Sequence, residues 1–306
     1  MEEPVYHIPA MLTECMAGLD IRPGGTYVDA TFGGGGHSRA IMEALGENGR
    51  LYSFDQDMDA YANRIADTRF TFVHSNFRYL ANFMRYYEAE QVDGILADLG
   101  VSFHHFDTPE RGFSFRNDAP LDMRMNQNAP LTAREVLNTY SDEHLSRILR
   151  TYGDLKRPNP VVKAILGARA NEEIVTTGQL LQAISPAINP KQEKKELAQV
   201  FQALRIEVNG EMQALSDFLE STMRVLRPGG RLVVLTYHSL EDRMVKNFMR
   251  SGNVEGEVQK DFFGRNLCPW RTVGKQPISP SPTEVERNPR ARSARLRVAE
   301  YTPPEG

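Results

Sequence analysis

The chain has 306 residues, about twice the length of an average domain, and its composition of 41% hydrophobic and 25% charged residues is ordinary for a globular protein. That composition excludes a disordered, collagen-like or coiled-coil chain. The net charge of −4, from 36 Lys and Arg against 40 Asp and Glu, indicates no overall basic surface for nucleic acid.

The beginning of the chain lacks the basic flank and apolar stretch of a signal peptide, and no apolar run approaches the roughly 18 residues that a membrane helix needs. The two cysteines, Cys15 and Cys268, are far apart and predict neither a disulfide framework nor a zinc site. No cluster of ligand residues suggests another metal. We therefore expect a cytoplasmic protein without membrane contact and without a metal.

Strands and helices alternate along the first hundred residues. Strand character is strongest at 26–30, 50–55, 69–74 and 92–98, and helical character at 9–19, 37–45, 58–66 and 79–87. Alternation at this spacing predicts parallel strands joined by right-handed crossovers. The expected fold is a doubly wound α/β sheet.

Strand signals stop at about residue 104 and return only after residue 207. Helical segments fill this interval, at 132–137, 142–151, 160–170, 177–184 and 195–208. An amphipathic helix at 211–226 and a strand at 231–237 follow, then a polar irregular region at 251–289 and an alternating edge strand at 294–299. We predict a discontinuous sheet domain, residues 1–103 and 208–306, interrupted by a helical insert at 104–207 that recognises RNA.

A run of four glycines, Gly33 to Gly36, joins the first strand to the following helix. Asp29 precedes the run, and Asp55 ends the second strand, where a carboxylate can accept both hydroxyls of a ribose. These features fit any adenosine cofactor, including NAD. The D-x-x-x-G-x-G spacing, in place of G-x-G-x-x-G, favours S-adenosylmethionine, which has no pyrophosphate.

The end of the chain adds a second clue to the fold. The long helix ends in Arg227-Pro-Gly-Gly230, a late strand follows, and the last strand is expected to be antiparallel. This order is typical of the class I S-adenosylmethionine-dependent methyltransferase fold, a Rossmann-like sheet.

Several long motifs then occur in one order. They are Asp-Leu-Gly-Val-Ser at 98–102, Pro-Glu-Arg-Gly-Phe-Ser-Phe-Arg at 109–116, Pro-Leu-Asp-Met-Arg-Met at 120–125, Phe-Gln-Ala-Leu-Arg-Ile at 201–206, His-Ser-Leu-Glu-Asp-Arg at 238–243 and Asn-Pro-Arg-Ala-Arg-Ser-Ala-Arg at 288–295. With them the chain resembles the bacterial 16S ribosomal RNA (cytosine-N4)-methyltransferase family (RsmH/MraW type) from about residue 7 to residue 299. The resemblance implies methyl transfer from S-adenosylmethionine to N4 of a cytidine in the decoding region of 16S rRNA, within the small ribosomal subunit.

The resemblance also implies a set of cofactor contacts. The positions that contact the cofactor in the family correspond here to Gly35, Gly36, His37, Asp55, Phe77, Asp98 and His105. The last position departs from the family, which usually has glutamine there, and residues 153–155 and 195–199 depart as well. Alternative structural roles stay open for His37 as a helix cap and for Phe77 as a core residue.

The chemistry of the substrate suggests the catalytic groups. Cytosine N4 is a poor nucleophile because its lone pair is delocalised, so we expect Asp98 and Ser102 to accept its hydrogens and orient it. The substrate-binding candidates are Arg111, Arg124, Arg205, Asn209, His238, Arg290 and Arg292.

An alternative role stays open for several of these candidates. Arg111, Arg124 and Arg205 could form salt bridges within the insert, and His238 could be a structural residue. The stretch 287–297 has five arginines and no acid, which favours phosphate contact. Arg295 and Arg297 are expected to point to one face of a strand.

Two other functions are consistent with such a fold. One is a DNA amino-methyltransferase, which the missing Pro-Pro-aromatic motif after the fourth strand argues against. The other is a non-catalytic cofactor-binding protein that docks on RNA or DNA. The intact glycine turn with Asp55 and Asp98 favours an enzyme.

Overall fold

The computed structural model describes residues 9–100 and 108–303 and divides the chain into two compact units. The sheet unit comprises Met1–Gly100 and Gln213–Gly306, and the helical unit comprises Val101–Met212. The boundaries predicted from the sequence lie at residues 103/104 and 207/208.

Seven strands form the sheet, in the order β3-β2-β1-β4-β5-β7-β6. They are β1 Thr26–Asp29, β2 Arg50–Asp55, β3 Phe70–His74, β4 Val92–Asp98, β5 Leu226–Thr236, β6 Trp270–Thr272 and β7 Arg295–Tyr301. The first five strands pair in parallel, and β7 is antiparallel to β5 and β6. The order reverses beside β1 and the last strand is antiparallel, so the predicted class I methyltransferase fold is confirmed.

The central strands are buried on both faces, as parallel strands covered by helices are. In β4 every residue from Val92 to Ala97 is buried, and only Asp98 at its end is partly exposed. In β5 the four residues 232–235 are fully buried. The apolar residues 95–97 and 232–235 are the reason that the sequence identified both strands.

Among the residues that the structure describes, six α-helices accompany the sheet. They are α1 Leu12–Leu19, α2 Gly36–Ala44, α3 Leu80–Tyr86, α9 Glu211–Val225, α10 Ser239–Ser251 and α11 Pro282–Arg287. The helix predicted at 58–66 is instead the 3₁₀ helix Met58–Asn63, in which Ala60 is the one buried residue. Without an apolar face, this segment has nothing to stabilise a longer helix.

Two elements appear where the sequence predicted irregular structure. The strand β6 has three residues, too few to show an alternating pattern, and it is recognisable only through its pairing with β7. The helix α11 has six residues and one buried side chain, and its start is fixed by the hydroxyl of Ser281, which accepts the N–H of Glu284. The Pro-Gly-Gly turn lies inside β5, at a register shift against β4.

The helical unit has its own apolar core, and its described residues, 108–212, form five α-helices. They are α4 Ala133–Thr139, α5 Asp142–Thr151, α6 Pro158–Arg169, α7 Thr177–Ile184 and α8 Glu193–Asn209. Thr132 and Thr176 begin α4 and α7 with capping boxes. Between residues 108 and 212 the structure describes no strand, only an isolated bridge between Pro120 and Thr176.

Within the described ranges of both units, none of the helices is long and apolar enough to span a membrane.

Candidate functional site

Three predicted acids end neighbouring strands of the sheet unit. Asp29 ends β1, Asp55 ends β2 and Asp98 ends β4. Because these strands are parallel and adjacent, their carboxyl ends meet at one edge of the sheet, which is where open α/β sheets bind ligands. The three predicted acids therefore lie along this edge.

The glycine turn occupies the middle of the edge. Gly33 and Gly35 have φ angles of 51° and 74°, a left-handed conformation that favours glycine. A Cβ atom on Gly35 would lie 2.9 Å from the ring of Phe32, so no other residue fits there without displacement. The turn leads directly into α2, which begins at Gly36.

Asp29 holds this turn from beneath. Its Oδ1 accepts the N–H of Thr31 at 3.1 Å, and its Oδ2 accepts the hydroxyl of Ser38 at 2.6 Å. Ser38 also lies 2.8 Å from the hydroxyl of Ser53. Burial raises the pKa of Asp29. With 1% of its surface exposed, Asp29 shapes the turn and does not reach a ligand.

Asp55 connects the turn to the end of β2. Its Oδ2 accepts the N–H of Gly33 at 2.8 Å, and its Oδ1 accepts the N–H of Asp57 at 2.9 Å. The side chain is half-buried. The carboxylate is therefore partly accessible at the carboxyl end of β2, where open α/β sheets bind ligands.

Asp98 lies between the turn and the last residues of β5. Its Oδ1 accepts the hydroxyl of Tyr237 at 2.6 Å, and its own N–H donates to the hydroxyl of Thr31 at 2.7 Å. Burial raises the pKa of Asp98, while His37 and the Tyr237 hydrogen bond act to lower it. The side chain is 23% exposed, so the carboxyl group is oriented by protein and still accessible.

His37 connects α2 to the same carboxyl group. Its Nε2 lies 3.1 Å from the carbonyl oxygen of Ala10, and its Nδ1 lies 3.7 Å from Oδ2 of Asp98. The residue is 5% exposed, and both ring nitrogens face protein atoms. The imidazole therefore makes the internal, structural contacts that the sequence left open as an alternative, and a contact between residue 37 and the cofactor stays a prediction.

Phe77 begins the short 3₁₀ helix that follows β3. The edge of its ring packs against Phe218, with the ring centroids 5.1 Å apart. Asn76 fixes the start of this helix by accepting the N–H of Arg78. Phe77 is only half-buried, so part of its ring stays open at the carboxyl end of β3.

Two predicted residues cannot be assigned positions. Ser102, expected to orient the amine, and His105, expected to contact the cofactor, lie outside the described residues.

The arginine candidates of the helical unit make internal contacts. Arg111 is 7% exposed, and its Nη2 donates to the carbonyl oxygens of Arg124 and Met125. Arg124 forms two hydrogen bonds with Asp122, of 2.9 and 2.7 Å. The sequence left two roles open for these arginines, an internal contact or a phosphate contact, and both Arg111 and Arg124 make internal contacts. The predicted phosphate contact of Arg111 is wrong because its side chain is buried.

Arg205 and Asn209 also hold the helical unit together. Arg205 pairs with Glu211 through two hydrogen bonds of 2.9 Å. The Asn209 side chain accepts the N–H of Met125 at 2.7 Å and donates to the carbonyl of Met123 at 2.8 Å. Both residues therefore have structural roles, and their contact with the substrate stays a prediction.

His238 caps α10. Its Nδ1 accepts the N–H of Glu241 at 3.5 Å, and the carboxylate of Glu241 in return accepts the N–H groups of Tyr237 and His238. This reciprocal capping gives His238 the structural role that the sequence left open.

The arginine stretch 287–297 separates into buried and exposed side chains. Arg297 is 7% exposed and forms two hydrogen bonds with Asp242, so it cannot reach RNA. Arg295 lies on the same face, 3.4 Å from the same carboxylate, and is exposed. Arg290 and Arg292 are exposed on the 3₁₀ helix Pro289–Ser293.

Sequence reasoning missed the residues that orient the acids. Tyr237 holds Asp98, and Thr31 and Ser38 hold the glycine turn. The only available signal for Tyr237 was its position immediately after the apolar run of β5 at the carboxyl edge.

Comparison with known proteins shows similarity over almost the whole chain. The model of the MraW methylase family matches residues 4–302. Ribosomal RNA small subunit methyltransferase H from Bacteroides thetaiotaomicron is 58% identical over 299 residues, which cover 98% of each chain. The proteins of that name from Parabacteroides distasonis and Flavobacterium johnsoniae are 59% and 50% identical, covering 98% and 96% of this chain and 98% and 97% of theirs.

Among solved structures the likeness is weaker. An rRNA methylase from Streptococcus thermophilus is 12% identical with a TM-score of 0.42, covering 99% of both chains. An S-adenosylmethionine-dependent O-methyltransferase from Thermotoga maritima is 9% identical with a TM-score of 0.43, covering 100% of this chain and 70% of the other.

Proposed function

This chain belongs to the MraW methylase family, and from this premise we propose that it methylates N4 of a cytidine in the decoding region of 16S rRNA, with S-adenosylmethionine as methyl donor. The observation that carries the proposal is the identity of 58% over 98% of the chain to proteins named ribosomal RNA small subunit methyltransferase H. The enzyme is thus an rRNA methyltransferase that acts on the small subunit.

The residues at the carboxyl edge fit S-adenosylmethionine. The glycine turn keeps side chains away from the space above β1, and the half-buried carboxylate of Asp55 lies at the end of β2, the position suited to the ribose hydroxyls. The half-buried ring of Phe77 is suited to pack against adenine. The backbone of Gly35, Gly36 and His37 at the start of α2 would border the methionine part. When bound, the cofactor supplies an electrophilic methyl group on its sulfonium.

Asp98 is proposed as the group that orients the substrate amine. Tyr237 occupies one acceptor site on Oδ1, and Oδ2 remains for an N–H of the cytidine. Accepting that hydrogen turns the N4 lone pair toward the methyl group, so the acceleration comes from positioning. The proposal includes Ser102 as a second acceptor.

The helical unit is proposed to recognise RNA around the target. Support comes from its place in the chain, since it follows β4 directly after Asp98 and returns to the sheet unit before β5. Since internal contacts occupy Arg111, Arg124 and Arg205, this recognition would use other side chains.

The test is methyl incorporation from labelled S-adenosylmethionine into small subunits purified from cells that lack the gene, followed by mass mapping of the rRNA. We expect one N4-methylcytidine in the decoding region, and a rate lowered at least about 100-fold in Asp98→Asn. Glu220→Ala, an exposed residue on α9, is the control.

Three outcomes would contradict the proposal. Methylation of duplex DNA in place of rRNA would indicate a DNA amino-methyltransferase. Cofactor binding without turnover on subunits or naked rRNA would indicate a docking protein. Full activity of Asp98→Asn would remove Asp98 from the reaction.

A further inference from the structure

A cavity of about 480 Å³ lies beside the carboxyl edge, outside the glycine turn. Its walls come from the end of β5 with α10, from Ser279, and from the segment that leads into β7. Four cationic side chains line it, namely Arg243, Lys246, Arg292 and Arg295. We refer to these four residues and the cavity between them as the α10 pocket.

The α10 pocket has a net positive charge. Asp242 is the single acid among its lining residues, and two hydrogen bonds of 2.8 and 3.0 Å bind it to Arg297, which does not line the cavity. Arg297 therefore neutralises the acid from the buried side. Four cations remain against one compensated carboxylate.

Three of these cations are available to a ligand. Arg243 and Lys246 lie three residues apart on α10, so their side chains share one face of the helix. Both are exposed, as is Arg292, and within the described residues none of the three has a hydrogen bond or ion pair. The hydroxyl-bearing residues Ser239 and Ser279 also line the cavity. Guanidinium, ammonium and hydroxyl donors around one space suit a phosphate.

Tyr237 connects the pocket to the reaction site. It lines the α10 pocket, and its hydroxyl donates to the carboxylate of Asp98. A phosphate in the pocket would thus lie next to the group proposed to hold the target amine. In an RNA strand a phosphate flanks each base, so a phosphate bound here fits a strand whose target base reaches Asp98.

We propose that the α10 pocket binds a backbone phosphate of the substrate RNA next to the target cytidine. The inference rests on the proposed function and names the part of the substrate that this surface recognises. Fixing a neighbouring phosphate sets the register of the strand, and so decides which base reaches Asp98.

The test uses the full-length protein and the double variant R243A/K246A, with R292A as a separate variant. Arg85→Ala is the control, because Arg85 is exposed in the last turn of α3, where the chain turns back toward the start of β4. Binding to naked 16S rRNA and to small subunits is measured at several salt concentrations, together with KM, kcat and the affinity for S-adenosylhomocysteine.

We expect R243A/K246A to reduce the salt slope by about two units and R292A by about one. KM should rise about 10-fold in the double variant, with S-adenosylhomocysteine affinity and the thermal unfolding midpoint unchanged. R85A should match the wild type in every measurement.

An unchanged salt slope and KM in R243A/K246A would overturn the inference. Weaker binding to subunits with unchanged binding to naked rRNA would also overturn it, because the pocket would then contact a ribosomal protein. Failure of the proposed function has a different signature, since the wild type itself would not methylate rRNA.

Discussion

The hydroxyl of Tyr237 donates a 2.6 Å hydrogen bond to Oδ1 of Asp98. The bond links the residue after β5 to the last residue of β4, and the two are 139 positions apart in the chain. Burial raises the pKa of both groups, and the hydrogen bond acts against that rise at Asp98. Tyr237 is thereby a positioning residue that favours the ionised carboxylate and fixes its direction.

Replacing Tyr237 by phenylalanine tests this role. Loss of a hydrogen bond to a charged group is worth about 1.5–3 kcal/mol, so we expect kcat to fall roughly 10-fold or more. Because the bond lowers the pKa of Asp98, its loss raises that pKa, and the acidic limb of the pH–rate profile moves to higher pH. Tyr86→Phe, at an exposed position, is the control. An unshifted acidic limb would show that Tyr237 only packs.

Asp55→Ala tests the cofactor site. We expect the affinity for S-adenosylhomocysteine, measured by calorimetry, to fall by about 1.5–3 kcal/mol, because charge-assisted hydrogen bonds to the ribose are lost. Glu43→Ala, on the exposed side of α2, should bind normally. Unchanged affinity in a folded Asp55→Ala protein would exclude Asp55 from the site.

Asp29→Asn tests the buried acid beneath the turn. Burial raises the pKa of Asp29 in the folded state, so the wild type loses stability as pH rises through that pKa, whereas asparagine does not titrate. Asparagine can keep both contacts, because Ser38 can accept from its amide and donate to Ser53. The free energy of unfolding of the variant, relative to wild type, should therefore increase as pH rises from about 4 to 7.

Asp67, an acid at the surface, serves as the comparison, because its pKa is lowered and the pH dependence of stability is therefore reversed. Arg69 lowers the pKa of Asp67 to about 2, which adds stability above the unfolded pKa that is lost as pH falls. Asp67→Asn should thus become less stable relative to wild type as pH rises from about 2 to about 4, and the difference should stay constant above that. Urea unfolding from about pH 2 to pH 7 measures the free energy of unfolding of each variant relative to wild type. If the two differences changed with pH in the same direction, the raised pKa of Asp29 would be contradicted.

Arg297→Ala tests the buried ion pair beneath the α10 pocket. Removing one partner leaves the Asp242 carboxylate buried without compensation, and we expect a loss of about 3–5 kcal/mol in the free energy of unfolding. Arg295→Ala removes an exposed cation 3.4 Å from the same carboxylate and should change stability by no more than about 0.5 kcal/mol. Equal denaturation midpoints for the two variants would refute this distinction.

The sequence by itself determined the fold class, the position of the glycine turn and the acids at the ends of the strands. Both β2 and β4 begin and end at the predicted residues, because each has a short group of apolar and aromatic residues and ends at an acid, Asp55 or Asp98. The glycine turn and the acids at Asp55 and Asp98 were equally visible, since each follows directly from a strand end. Short elements such as β6 could not be predicted, because three residues are too few to show the alternation of apolar and polar side chains that marks a strand.

Only the tertiary structure decided the partners of the charged side chains. Arginine has the same appearance in a sequence whether it is buried, like Arg111, paired with a buried acid, like Arg297, or exposed, like Arg292. Which of these states an arginine adopts depends on whether the fold brings an acid close to it. Arg297 and Asp242, for example, are 55 positions apart in the chain and form a hydrogen bond. Tyr237 reaches Asp98 for the same reason, because β4 and β5 are neighbours in the sheet and not in the sequence.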